Sequence, residues 1–289
     1  MTYAPLSLAA TTLVEDLTFG ESPRWHGGRL WFSDFYSHGV WSIEADGSDR
    51  RPELEVRGRP SGLGWLPDGR LLAVSMEERA VLRREDDGTA SLHADLRAFT
   101  TCEANDLLVL EDGTAFIGQF GFDLQEFLGG STPPRLTSML RMDETGAVEV
   151  AAEDLCFPNG MVRLGSTLVV AETFAHRLTA FGVRADGTLG ARRDWALLEG
   201  CYPDGICGDA EGAVWVANAN ARECLRVREG GEVLARVATS RTCFACMLGG
   251  EDRRTLYCCT APGSHEDRAG RRAARIEIAR VEVPGAGLP

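Results

Sequence analysis

The sequence predicts an all-β fold: a six-bladed β-propeller with four antiparallel strands per blade, formed as a single domain over residues 1–289. Three observations predict it. A phrase made of a Gly- and Asp-rich turn and a short run of apolar and β-branched residues returns six times along the chain. Its copies stand roughly 40 to 53 residues apart, the length of a four-stranded blade. Further strand-like pieces fall between the copies, and no long segment carries the 3.6-residue apolar period of a helix.

The copies occupy residues 27–34, 68–74, 112–118, 165–171, 211–217 and 254–259. Between them, residues 39–43 with the turn Asp46-Gly47, residues 80–84 and residues 177–181 read as outer strands. Neighbouring blades cover both faces of each sheet, so the innermost strands are expected to be almost continuously apolar. Residues 274–278 and 281–283 are expected to close the ring, with strand exchange between the termini removing an exposed edge. Residues 121–135, containing Gly129-Gly130 and Pro133-Pro134, interrupt the repeat. They read either as a loop capping a binding site or as a variable surface loop.

A chain of 289 residues with 44% hydrophobic content can bury a large core. Its net charge of -13 and scattered arginines argue against a nucleic-acid partner, and the arginine-rich run 268–275 reads as a solvated loop. No apolar run is long enough to span a bilayer, and no basic segment precedes a hydrophobic one at the N-terminus. A cytoplasmic protein without a membrane partner is expected, as a monomer or small homo-oligomer. The nine cysteines lack the spacing of a secreted disulfide scaffold and are expected mostly to be buried thiols. Cys243-x-x-Cys246 with Cys258-Cys259 makes a poor zinc site, because adjacent strand residues point to opposite faces.

Two segments carry candidate chemistry. Cys156-Phe157-Pro158-Asn159-Gly160 and Cys201-Tyr202-Pro203-Asp204-Gly205 each place an oxygen-bearing side chain in a Pro-Asx-Gly turn ahead of an apolar strand. Repetition suggests equivalent positions in a repeated architecture, with oxygen ligands aimed at a common point. Pro-Asx-Gly is equally a plain turn, and Leu66-Pro67-Asp68-Gly69 reads as one. On spacing alone both readings stand.

Phe19-Gly20-Glu21-Ser22-Pro23-Arg24-Trp25, Asn105-Asp106, Pro158-Asn159-Gly160, Pro203-Asp204-Gly205-Ile206-Cys207 and Phe244-Ala245-Cys246-Met247-Leu248-Gly249-Gly250 follow one another along the chain. With these motifs in this order, the chain resembles the SMP-30/gluconolactonase/regucalcin family of six-bladed propellers nearly end to end. The resemblance implies one divalent ion held by Glu21, Asn159 and Asp204, Ca²⁺ ahead of Mn²⁺, Mg²⁺ or Zn²⁺. The residue chemistry agrees, since two carboxylates and an amide oxygen make a hard, all-oxygen site.

The resemblance further implies a metal-dependent lactonase that opens a cyclic ester of a small polar or sugar-derived molecule, with Asp204 as general base and then proton donor. Asn105 matches a position that touches substrate or a metal-bound water. Glu103 stands where animal members carry an arginine, a charge reversal that favours a ligand with donors or positive charge. Asp123 corresponds in outline to a substrate-binding carboxylate. Phe120, Phe122 and Phe157 would make one side of the pocket apolar. Two alternatives stay open: a different reaction on the same metal site, and a non-enzymatic Ca²⁺-binding regulator. The five histidines come with no metal-binding pair and no Gly-x-Ser-x-Gly elbow, which argues against a serine hydrolase. Cys156 and Cys201 read as thiols of the wall rather than nucleophiles.

Overall fold

The computed structural model describes residues 5–123, 126–127, 129–131, 133–264 and 271–287. His265 and residues 268–270 of the arginine-rich run lie outside them. Two strands precede the first blade, β1 (Leu6–Ala9) and β2 (Thr11–Leu17). Blade 1 holds β3 (Gly20–His26), β4 (Arg29–Asp34), β5 (Gly39–Ile43) and β6 (Arg51–Glu55). Blade 2 holds β7 (Pro60–Trp65), β8 (Leu71–Ser75), β9 (Ala80–Arg84) and β10 (Ala90–Asp95). Blade 3 holds β11 (Ala104–Val109), β12 (Ala115–Gln119), β13 (Thr137–Met142) and β14 (Val148–Leu155). Blade 4 holds β15 (Pro158–Leu164), β16 (Thr167–Glu172), β17 (Arg177–Val183) and β18 (Leu189–Leu197). Blade 5 holds β19 (Pro203–Gly208), β20 (Val214–Asn218), β21 (Glu223–Val227) and β22 (Val233–Ala238). Blade 6 holds β23 (Thr242–Gly249), β24 (Thr255–Ala261) and β25 (Ala274–Arg280). The six sheets form the propeller that the sequence predicts. Among the described residues, no helix is long and apolar enough to cross a membrane.

The termini exchange as expected, and the N-terminus supplies the last strand. β2 pairs antiparallel with β25 and completes blade 6, while β1 adds a parallel fifth strand to β22 of blade 5. Residues 281–283 are not a strand. The chain there has left the sheet edge that β2 occupies, and Val281 keeps one backbone bond, from its N–H to the Arg254 carbonyl.

The repeated apolar phrase is the second strand of each blade. β8, β12, β20 and β24 are buried along their whole length, sandwiched between the sheets on either side. The innermost strands are β3, β7, β11, β15, β19 and β23. They are largely buried, but their upper ends are polar or glycine-rich rather than continuously apolar. The Pro-Asx-Gly segments are therefore not turns: Pro158 and Pro203 are the first residues of β15 and β19. Gly160 and Gly205 serve close approach between blades. A Cβ on Gly160 would lie 2.5 Å from the Asp204 carbonyl oxygen, and one on Gly205 would lie 2.6 Å from Ala245 Cβ.

All six innermost strands carry a one-residue bulge against their neighbours. Bulges bend a strand and re-aim its side chains. Beside the bulge, the second residue of five of these strands is Glu21, Ser61, Asn105, Asn159 or Asp204. The sixth strand sends Phe244 to the same region.

The second strands end in buried polar residues that pin the segments leading into the innermost strands. Asp34 Oδ1 accepts the backbone N–H of Thr18 (2.9 Å) and Phe19 (2.7 Å). Glu172 Oε2 accepts Cys156 N–H (2.8 Å), and Asn218 Oδ1 accepts Tyr202 N–H (3.1 Å). Replacing Asp34 with Ala strands two N–H groups in the interior, and urea denaturation should show a loss of roughly 2–4 kcal/mol. Asp34→Asn, which keeps the acceptor, should lose less.

Candidate functional site

The bulged strand ends and the loops beside them enclose a cavity of about 340 Å³, lined by Glu21, Asn105, Asn159 and Asp204 together with aromatic side chains. Local backbone geometry sets the direction of each polar group. Ser22, just after Glu21, holds φ 46°, and its N–H returns to Glu21 Oε2 at 3.0 Å. Phe157, just before β15, holds φ 57°, a left-handed conformation that is costly for a bulky residue and common at ligand sites.

A polar chain links the blades across the site. Ser61 Oγ donates to Asn105 Oδ1 (3.2 Å), Asn105 Nδ2 donates to Asn159 Oδ1 (2.9 Å), and Asn159 Nδ2 donates to Thr173 Oγ1 (3.1 Å). Thr173 Oγ1 donates in turn to the Pro203 carbonyl (2.9 Å), next to Asp204. Beneath lies a buried ion pair, Arg24 Nη2 to Asp106 Oδ1 at 2.8 Å. Asp106 Oδ1 also accepts from Ser22 Oγ and from Leu107 N–H.

Of the residues singled out in the sequence, the structure brings Glu21, Glu103, Asn105, Asn159 and Asp204 together around the cavity. It does not bring Asp123 to them. That residue is exposed, its Oδ1 accepts Glu126 N–H at 2.9 Å, and it caps the short turn that carries Phe127. Phe120 and Phe157 line the cavity, and Phe122 packs behind them. Phe127, from the interrupting segment, also reaches the lining, so part of that segment covers the site. Cys156 and Cys201 do not line it, and burial pushes the Cys201 thiol up to about 12, far from thiolate reactivity.

Several lining residues escaped the sequence reading, among them Phe19, Phe35, Phe174, Tyr202 and Phe244. Their only signal is positional: Phe19 and Tyr202 stand directly before an innermost strand, Phe35 and Phe174 shortly after a second strand, and Phe244 third in β23. Ser61 was missed as well, because Pro60-Ser61-Gly62 lacks a carboxylate or amide. Elsewhere, the sulfurs of Cys224, Cys243 and Cys258 lie within 4.8 Å of one another in the buried core. Cys258 and Cys259 do face apart, Cys259 packing against Gly20 in a separate core cluster.

The electrostatics of the cavity favour a cation. Burial raises the Glu21 carboxyl to about 8, with the Asp106 charge adding to it and the Ser22 N–H and Arg24 opposing it. Burial also raises Asp204 well above the ordinary carboxylate range, helped by Glu21 and Asp106 and opposed by the hydrogen bond from Asn159. The nearby arginine, Arg24, is committed to Asp106 and to the carbonyls of Pro23, Leu63 and Leu107. Two buried carboxylates that oppose each other's ionisation, with the Asn159 amide on the same cavity, fit a hard divalent ion.

A pH effect follows for the metal-free protein. Because the folded-state pKa of Glu21 is raised from 4.5 to about 8, its contribution to stability is fully present below the unfolded value and is lost as pH rises through the folded one. The melting temperature of chelator-treated protein should therefore fall between about pH 5 and 8 beyond the fall seen with saturating metal. Metal binding near pH 6 should also release protons, measured by calorimetry in buffers of different ionisation enthalpy.

Comparison with known proteins gives the following matches. Residues 19–262 match the family model described as SMP-30/Gluconolactonase/LRE-like region. A 6-deoxy-6-sulfogluconolactonase of Pseudomonas putida is 30% identical over 163 residues, covering 52% of this chain and 55% of that protein, so the match spans about half the relative's length. The calcium-binding protein regucalcin of Agrobacterium tumefaciens superposes with a TM-score of 0.82 at 19% identity, covering 100% of this chain and 99% of that one. A gluconolactonase of Xanthomonas campestris superposes with a TM-score of 0.76 at 24% identity, covering 96% and 89%. These two structures are similar in fold.

Proposed function

The chain belongs to the SMP-30/Gluconolactonase/LRE-like family, and from that premise we propose that it is a divalent-metal-dependent lactonase acting on a small-molecule cyclic ester. One observation carries the proposal: two buried carboxylates, Glu21 and Asp204, share a cavity with Asn159 and have no cationic side chain committed to them among the described residues. The lactonase names of similar proteins support the reaction class.

Glu21, Asn159 and Asp204 would hold the ion, which when bound polarises an ester carbonyl and acidifies a water. Ca²⁺ suits the three hard oxygens, and the regucalcin likeness supports it; Mn²⁺, Mg²⁺ and Zn²⁺ remain candidates for the same ligands. Asn105, already bonded to Asn159, orients that amide and offers its own polar edge to the cavity. The Asp204 carboxylate takes a proton from the attacking water as the new C–O bond forms. It returns that proton to the ring oxygen as the ester C–O bond breaks, giving a hydroxy acid. Burial, which raises Asp204 above the ordinary carboxylate range, makes its carboxylate a stronger base toward that water than an exposed one.

The test is ring opening, followed as acid release, over a lactone panel with chelated protein and again after Ca²⁺, Mn²⁺, Mg²⁺ or Zn²⁺ is restored. Turnover that returns with one of these ions is the expected result. Calorimetrically proven metal binding without turnover of any lactone would overturn the lactonase reading and leave another reaction or a regulatory role for the same site.

A further inference from the structure

We propose that the substrate is an uncharged lactone bearing an apolar aryl or alkyl substituent rather than a polyhydroxylated or anionic sugar lactone. The inference rests on the lactonase reading above and adds the class of molecule. Of the twenty-one described residues lining the cavity, nine are aromatic and one is Met76. They form two packed groups. Phe120 stacks on Phe157 (4.4 Å between centroids), Phe157 on Phe174 (5.6 Å), and Phe174 meets Tyr202 edge-on (6.0 Å). In the second group Phe19 packs against Phe35 (5.0 Å) and Phe244 (4.8 Å).

The repeat explains the accumulation. Phe19, Phe157 and Tyr202 each directly precede an innermost strand, while Phe35, Phe120 and Phe174 follow a second strand by one or two residues. Both positions border the ends of the innermost strands that carry Glu21, Asn159 and Asp204. Several blades thus contribute rings around the carboxylates, and a ligand whose ester group reaches Glu21 and Asp204 must place its remaining atoms against those rings.

Hydroxyl groups would find partners only at the polar side chains of the lining, such as Glu103 and Asn220, and not along the two ring groups. The Asn105 amide already gives one N–H to Asn159 and accepts from Ser61, and Thr173 Oγ1 both accepts and donates. A sugar hydroxyl pressed on the rings would lose its water without gaining a partner. Charge disfavours anions: among the described residues, Glu77 and Glu103 join Glu21 and Asp204 on the lining, and its arginine, Arg59, pairs with Glu77 at 3.1 Å. A cavity of about 340 Å³ accommodates a lactone with a ring or short chain attached, at the lower end of the ~300–1,000 Å³ usual for small-molecule sites.

The experiment compares dihydrocoumarin, δ-decalactone, δ-valerolactone and gluconolactone on the wild-type protein loaded with one metal. In parallel, calorimetry measures binding of the unhydrolysable lactam analogue of dihydrocoumarin and of gluconolactam. Burial of the substituent should raise kcat/KM for dihydrocoumarin and δ-decalactone at least about 100-fold above gluconolactone. Phe174→Ala, with Phe174→Leu as a milder second variant, should lower the preference for dihydrocoumarin over δ-valerolactone by about tenfold. Equal or faster turnover of gluconolactone would sink the inference and leave the lactonase reading intact. If no lactone turns over but the aryl lactam binds far more tightly than gluconolactam, the lactonase reading falls and the apolar ligand class stands. Equal binding of the two lactams, or preference for gluconolactam, counts against the inference.

Discussion

Asp204→Asn should reduce metal-supported lactone turnover by about 10³-fold or more, because the substitution removes both the proton carrier and an anionic metal ligand. The fold should survive, since the amide has nearly the shape of the carboxylate and Asp204 lines the cavity. Stability gives a second readout of opposite sign. In wild-type protein stripped of metal, burial, Glu21 and Asp106 all oppose the Asp204 charge. Its folded-state pKa is raised, so its contribution to stability is lost as pH rises through that value. Asparagine carries no such penalty, so near pH 8 the metal-free variant should melt above metal-free wild type. With saturating metal the order should reverse. Wild-type turnover by metal-stripped, folded Asp204→Asn protein would show that the mechanism is wrong.

Arg24→Met should be the most destabilising single change near the site, by roughly 3–5 kcal/mol in urea denaturation, because it leaves a buried carboxylate without its cation. Arg24 and Asp106 are both buried, and the guanidinium also satisfies the carbonyls of Pro23, Leu63 and Leu107 across three innermost strands. Combining it with Asp106→Asn should recover part of the loss, because an amide oxygen can still accept from Ser22 Oγ and Leu107 N–H while the unpaired charge is gone. Arg24 also lowers the Glu21 pKa. Its loss should therefore raise the Glu21 pKa further, so that proton release on metal binding, measured by calorimetry, extends to higher pH than in wild type. An Arg24→Met protein as stable as wild type would mean that the pair does not anchor the three strands.

The propeller was legible because strand burial leaves a local mark. A second strand covered on both faces must be apolar along nearly its whole length, as residues 71–74 and 214–217 are, and six such runs at blade spacing admit few other architectures. Glu21, Asn159 and Asp204 were legible only through motif resemblance. Read locally, Pro158-Asn159-Gly160 and Pro203-Asp204-Gly205 look like turns, because proline and glycine are the residues turns use.

Tertiary structure decides what those residues are for. Pro158 and Pro203 begin innermost strands, and the glycines between Asx and the next apolar residue let blades 4, 5 and 6 approach within contact distance of one another's backbones. The same holds for Asp123 and the aromatic lining. A carboxylate that motif comparison places at the substrate instead caps a turn at the surface, while Phe19, Phe174 and Phe244, more than two hundred residues apart at their extremes, meet around one cavity. Sequence by itself determined the repeat, the strands and the kind of oxygen ligands available, since each depends on residues near one another in the chain. Which side chains converge, and whether the space between them is wet or apolar, depended on the closing of the ring, where one-residue bulges in six separate strands turn distant positions toward a common axis.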